Sequence, residues 1–268
     1  MSMTTTHSVS PRVSYEQSHE DVLGTRDVVL GVLASSVSDL ETLRIAISNR
    51  VYSLTHTGPD VDDVLRGHQL AEDDPAVIAM QELLEGTKAL EKLAIKAMQK
   101  RMKKHVLYEW VSKNKGVGEK TAARLLSALG DPYIRDMYVG EGDELRHVLE
   151  PRTVSELWSY AGYGVVNGAA PKRTKGQKVN WNPEIRMRVW LIAETSIRSN
   201  GDYKPVYDET KASAMASPHL QDCARCKAKA GEPLSKGHAH ARAMRRVSKE
   251  ILRDLWTLSK EWHESNDR

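Results

Sequence analysis

Apolar positions recur at heptad spacing over the first third of the chain. Leu33, Leu40, Ile47 and Leu54 fall seven apart, with Leu30, Val37 and Val51 on the adjoining face. The pattern predicts one long amphipathic helix from about Asp21 to Leu54. A polar stretch from Thr55 to Pro75, containing Gly58-Pro59, interrupts it. A second long helix is expected to start near Asp74-Pro75, because proline is tolerated in a first helical turn. Met80, Leu83, Leu90, Ala94 and Ala97 continue at near-heptad intervals, so the two helices should fold back as an antiparallel hairpin. The hairpin serves either to cap the rest of the chain or to join two copies of it, a homo-oligomer through the N-terminal helices.

Beyond residue 130 the periods shorten. Tyr133 to Pro151 is mixed in charge and predicts a short connecting helix. Arg152 to Tyr163 predicts another, started near Thr153 or Ser155 and ended by Gly162 and Gly164. Asn182-Pro183 opens a helix stepping through Ile185, Val189, Ile192 and Ala193. The last, from about His240 to Trp262, buries Met244, Val247, Ile251, Leu255 and Leu258 and exposes Arg242, Arg245, Arg246, Lys249 and Arg253. No strand-like alternation stands out, and the expected fold class is all-α. The expected division is a disordered tail over 1–20, the helical hairpin over 21–112, and a compact basic domain over 113–268.

Charge is divided unevenly. The net charge is +3, yet residues 1–90 carry 14 acidic against 6 basic side chains, and the remainder 33 basic against 22 acidic. A polyanion partner for the C-terminal two-thirds follows as an expectation. No stretch approaches the ~18 apolar residues of a membrane helix. The Ser/Thr-rich start lacks the apolar segment of a secretory signal, and the two cysteines, three positions apart, suit a metal pair in a reducing cytoplasm.

The chemistry concentrates in three places. Lys115-Gly116-Val117-Gly118-Glu119, running into Lys120-Thr121-Ala122-Ala123-Arg124-Leu125-Leu126 and stopping at Gly130-Asp131-Pro132, reads as the turn and second helix of a helix-hairpin-helix. Two glycines allow a tight bend whose N–H groups and helix start face an anion. Lys113, Lys115, Lys120, Thr121 and Arg124 are expected to surround a nucleic-acid phosphate there. The segment Asn167 to Asn182 holds Lys172, Arg173, Lys175 and Lys178 without an acid and reads as a basic loop reaching a neighbouring phosphate. Cys223-Ala224-Arg225-Cys226 is a Cys-x₂-Cys knuckle, with His219 before it and His238-Ala239-His240 after it. It predicts a structural zinc within 219–240 held by Cys223, Cys226, His240 and one of His219 or His238. A catalytic zinc is not expected, since no Glu beside a ligand histidine offers a general base.

From Gly116 onward the chain resembles the C-terminal domain of the Piv/MooV-type transposases of bacterial insertion sequences. The likeness is carried by Gly116-Val117-Gly118 with Ala122-Ala123-Arg124-Leu125-Leu126, by Gly130-Asp131-Pro132, and by Leu157-Trp158-Ser159-Tyr160-Ala161-Gly162-Tyr163. It continues through the basic loop, Asn182-Pro183-Glu184-Ile185-Arg186 and Lys249-Glu250-Ile251-Leu252-Arg253-Asp254-Leu255-Trp256. Those enzymes open with a RuvC-like acidic domain, where this chain has helices. They place a catalytic serine in the basic loop, where Val165 to Ala170 has none. The resemblance implies a DNA-binding domain of a mobile element or phage without the reaction; DNA against RNA stays open. The alternative is a transposase or recombinase relative that borrows a nuclease half or uses Ser196 or Ser199. A third possibility is an adaptor whose coiled coil binds protein.

Overall fold

The computed structural model describes residues 25–140, 145–166 and 168–266; the expected tail over 1–20 lies outside them. The described residues are mainly helical. Helix α1 (Val28–Thr55) and α2 (Pro75–Met102) form the antiparallel hairpin, followed by α3 (Tyr108–Lys113) and α4 (Glu119–Leu129). A two-stranded sheet, β1 (Ile134–Val139) and β2 (Arg146–Pro151), precedes α5 (Val154–Tyr160), α6 (Pro183–Arg198), α7 (Lys204–Met215) and α8 (Lys236–Asn266).

Helix starts follow side-chain capping. Asp27, Asp74, Thr153 and Asn182 each accept a backbone N–H of the first turn, which satisfies donors the helix itself cannot. Thr153 and Glu156 complete a capping box. Asp27 also receives Arg101 Nε at 2.5 Å, which ties the start of α1 to the end of α2.

The expected connecting helix over Tyr133 to Pro151 is instead a β-hairpin, so the fold is mostly but not wholly α-helical. Antiparallel register pairs Arg135 with Glu150 and Asp136 with Leu149, which leaves His147 diagonal to Asp136 on the same face. Arg135 reaches the facing Glu150 as an ion pair at 2.6 Å, and the His147 ring hydrogen-bonds Asp136 across the diagonal. Cross-strand pairs of this kind stabilise a ladder even where apolar alternation is faint. Arg152 is buried and donates from Nε to Pro132 O at 3.0 Å, anchoring the hairpin's base. Asp131 accepts from Tyr133 N, Ile134 N, Ser259 Oγ and His263 Nε2 at 2.6–2.8 Å, and Thr25 bonds it as well. This knot joins the first described residue to the last helix.

One core runs through both sides of residue 113. Leu30, Val37, Met98 and Met102 of the long hairpin share it with Leu125, Ile192, Met244 and Ile251. Ala122 and Ala123 are fully buried, and small side chains there let α4 approach α1, α2 and α6 closely. On α1 the buried line is Leu30, Ala34, Val37 and Ile47, while Leu33, Leu40 and Leu54 are half-exposed.

Candidate functional site

The glycine bend is a genuine turn between α3 and α4. Gly116 takes φ +89°, which glycine adopts without the clash a Cβ would bring. Its surroundings differ from the expected phosphate cradle. A Cβ on Gly116 would fall 2.6 Å from Ser196 Cα, so the bend is pressed against the end of α6. Lys115 N donates to Asp202 Oδ2 at 2.6 Å, and Val117 is buried with its N–H on Asn114 O. Thr121 Oγ1 turns back to Gly118 O at 2.8 Å.

Three cations near the bend are engaged by carboxylates, while the Lys115 side chain is exposed and has no ion pair among the described residues. Arg124, with a side chain 10% exposed, donates to Glu41 at 2.8 Å and to Ser38 at 2.9 Å. Lys120 lies 3.7 Å from Glu41 and 4.0 Å from Glu91, and Lys113 pairs with Glu109. Burial opposes ionisation of Glu41, but Arg124, Lys120 and Arg188 outweigh it and lower its pKa. Lys120 and Arg124 of α4 therefore face the acidic side chains of the long hairpin, while the bend itself packs on Ser196 and Asp202. Sequence reasoning could not see this, because Glu41, Glu91 and Asp202 are distant along the chain. Ser196 is fully buried and bonds Lys115 O, and Ser199 bonds Ser196 O; both hydroxyls serve the packing of the bend.

The basic loop is different. Lys172, Arg173, Lys175 and Lys178 are all exposed, and no carboxylate among the described residues pairs with them. The loop starts beside a second group of cations. Arg186 donates to Pro171 O at 3.2 Å and lies over the Trp181 and Tyr163 rings, at 5.6 and 5.8 Å. Arg245 lies over the other side of the same cluster, 5.8 Å from Tyr163, and donates to Tyr163 O. Lys249 Nζ sits 4.2 Å from the centre of the Trp158 ring. These cations repel one another. Lys249 has its pKa lowered by burial and then by Arg245 and Arg246, and Arg245 by burial and then by Arg186. The neighbouring Glu250 is shared between Arg246 and Arg253. The sequence marked Arg186, Arg245 and Lys249 as basic; it did not show that the folds of α6 and α8 bring them to one place.

The Cys-x₂-Cys segment lies between α7 and α8. Cys223 N donates to Ala228 O, Lys227 N donates to Cys223 O, and Lys227 takes φ +59°, so the two thiols share one tight turn. His219 is held by backbone bonds to Glu232 and Gly231. The ligand atoms of His219, Cys223 and Cys226 lie within 4.8 Å of one another, a group able to hold a metal ion. Cys226 Sγ is 3.4 Å from His219 Nε2, and Cys223 Sγ is 3.3 Å from His238 Nε2. Tetrahedral zinc with Zn–S of about 2.3 Å and Zn–N of about 2.0 Å sets such separations near 3.5 Å. The Cys223 thiol is held below its usual range by the backbone N–H groups of Cys226 and Arg225, with Lys172 of the basic loop adding to the effect.

His240, expected as a ligand, is placed elsewhere. Its Nδ1 meets Tyr207 Oη at 2.7 Å, and its ring stands edge-on to Trp190. Helix α8 starts at Lys236, ahead of both histidines. Two residues apart on a helix is about 200° of rotation, so only one of them can face the cysteines. A small satellite cluster of Ala214, Leu234 and Ala239 lies beside the knuckle.

No helix among the described residues is long and apolar enough to cross a membrane. Compared with protein families, curated proteins and solved structures, the chain has no match in any of the three.

Proposed function

We propose that this chain is a non-catalytic nucleic-acid-binding protein, with DNA as its first candidate partner, that grips backbone phosphates through the basic loop and the adjoining face of α6 and α8. The observation that supports it is the junction of two cation groups. Lys172, Arg173, Lys175 and Lys178 stand exposed beside Arg186, Arg245 and Lys249, and Tyr163, Trp158 and Trp181 back the latter. Flexible exposed lysines and arginines without acidic partners follow a phosphate strand. Cations held on aromatic faces keep their charge while their stems are fixed. Such contacts position a protein and read little sequence. The glycine bend has a structural part in this proposal, since Lys115 N, Val117 N and the Arg124 side chain are occupied within the chain.

The metal group belongs to the same proposal as a structural zinc site of Cys223, Cys226, His219 and His238. A closed set of four ligands suits a structural ion. It would order the knuckle beside Lys172 and fix the start of α8. A setting in a mobile element or phage is motivated by the likeness to the transposase C-terminal domain.

The test is fluorescence anisotropy with labelled duplex and single-stranded DNA across salt. Each phosphate contact contributes a slope of about −0.9 in log K against log salt on duplex. A slope between about −3 and −6 is expected for this face. A flat response, or binding unchanged after the four loop cations are replaced by alanine, would overturn the proposal.

A further inference from the structure

Helix α2 carries a second apolar line that none of the described residues covers. Val77, Thr87, Glu91, Met98 and Met102 are its buried positions. Ala79, Leu83, Gly86, Leu90, Leu93 and Ala97 lie on another face and are all exposed, the three leucines by 58, 56 and 66%. Their spacing alternates four and three, the a/d repeat of a coiled-coil seam, over about 27 Å of helix.

The line reads the same from either end. Pairing each residue i with 176 − i sets Ala79 against Ala97, Leu83 against Leu93 and Gly86 against Leu90. A two-fold axis near residue 88 therefore brings an antiparallel copy into register, with each leucine at 90 entering the gap left by the other copy's glycine. Among the described residues Gly86 has no reason to be glycine: it lies inside a helix, and a Cβ there would meet none of them within 4 Å. Glycine in a helix interior costs about 1 kcal/mol relative to alanine. Close approach of a second backbone is the use that small residues find on helix faces.

Charge fits the same arrangement. Glu82 and Lys96 flank the line on one side, in heptad positions that meet their own kind across an antiparallel seam. The ion pairs of α2 use Lys88 with Glu85, Glu91 with Arg44 and Lys120, and Arg101 with Asp27, leaving Glu82 and Lys96 unpaired among the described residues. In the antiparallel copy Glu82 faces Lys96 twice, by symmetry; in a parallel pair the two would lie 14 residues apart along the seam and not meet.

We infer that this face of α2 is a self-association surface, and that its occupant is α2 of a second copy of this chain, antiparallel and centred near residue 88. The seam is short for a stable interface, which ordinarily buries about 800 Å² per partner, so a weak dimer is expected. It is independent of nucleic-acid binding and stands or falls without it.

Sedimentation equilibrium of the full chain decides it. The unmodified chain should dimerise with a dissociation constant on the order of 10 µM. The Leu90→Glu/Leu93→Glu double variant should sediment as a monomer at the same concentrations, with unchanged helical circular dichroism because both positions are exposed. Glu82→Lys should weaken the dimer by about tenfold, since two facing pairs become repulsive. Adding Lys96→Glu to it should restore the original constant. A chain monomeric at 100 µM and above on the same ~10 µM scale overturns the inference, as does a dimer insensitive to Leu90 and Leu93. A charge swap that fails to restore association overturns the antiparallel register, with the single Glu82→Lys change as a control that does not touch the apolar seam.

Discussion

Lys115 and Asp202 are 87 residues apart, yet the backbone N–H of the first donates to the carboxylate of the second at 2.6 Å. The contact sits where a helix-hairpin-helix would offer a donor to a phosphate, and the donor is satisfied from within. Asp202→Ala should cost about 1–2 kcal/mol, the range for an amide left without its charged acceptor, measured by urea denaturation. DNA affinity should be unchanged. A rise in affinity would return the bend to the binding surface.

Gly116→Ala should cost more. The positive φ costs an L-residue about 1–2 kcal/mol, and the added methyl would press on Ser196 Cα, with overpacking adding about 1–3 kcal/mol. Urea midpoints at constant slope check the sum. A near-neutral change would show that α6 yields easily at this contact.

Two sets of cations should separate cleanly. Arg124→Ala leaves Glu41 half-buried without its partner and should lower stability by about 1–3 kcal/mol, with no effect on the salt slope of DNA binding. Replacing Lys172, Arg173, Lys175 and Lys178 by alanine should leave stability within about 0.5 kcal/mol, as for exposed sites. It should reduce the magnitude of the salt slope by about 3–4. Paired urea and anisotropy titrations read both.

The two histidines of α8 should likewise part. Metal analysis after expression with zinc should find His238→Ala depleted and His240→Ala loaded like the unmodified chain. Protons compete with metal for thiolate and imidazole, so bound metal should be lost as the pH falls below about 6. Retention by His238→Ala together with loss by His240→Ala would restore His240 as the fourth ligand.

His105 should make the fold acid-sensitive. Its ring is buried and Nδ1 accepts Leu107 N at 3.1 Å, which protonation would abolish. Burial lowers its pKa below 6.5, with Asp27 opposing. Since the folded value lies below the unfolded one, the stability is complete above 6.5 and is lost as the pH falls toward the folded value. The loss is about 1.4 kcal/mol per unit of separation. Urea titrations of the chain and of His105→Gln at pH 7.5 and 5.5 should show the difference between them shrinking in acid.

Much of the helical layout was open to sequence reasoning, because the signals are local. The heptads gave the long pair, and Asp74-Pro75 and Asn182-Pro183 marked starts that capping bonds now explain. The β-hairpin was missed since its strands hold through the facing Arg135–Glu150 pair and the diagonal Asp136–His147 contact, which look like mere mixed polarity until register is known. The choice between His238 and His240 needed the phase of α8, which depends on where that helix begins. The occupation of Arg124 needed Glu41 from the facing helix. In each case the decisive partner is remote in sequence, and local pattern carries no information about it.

Helix α8 spans 31 residues, about 46 Å, and neither of its ends is loose: the cysteine-histidine group grips one and the Asp131 knot the other. Between those two moorings it carries Arg245, Arg246 and Lys249. A pull exerted on that middle stretch is thus shared by both anchors, and releasing either should let the nearer turns fray while the opposite end stays protected against amide exchange.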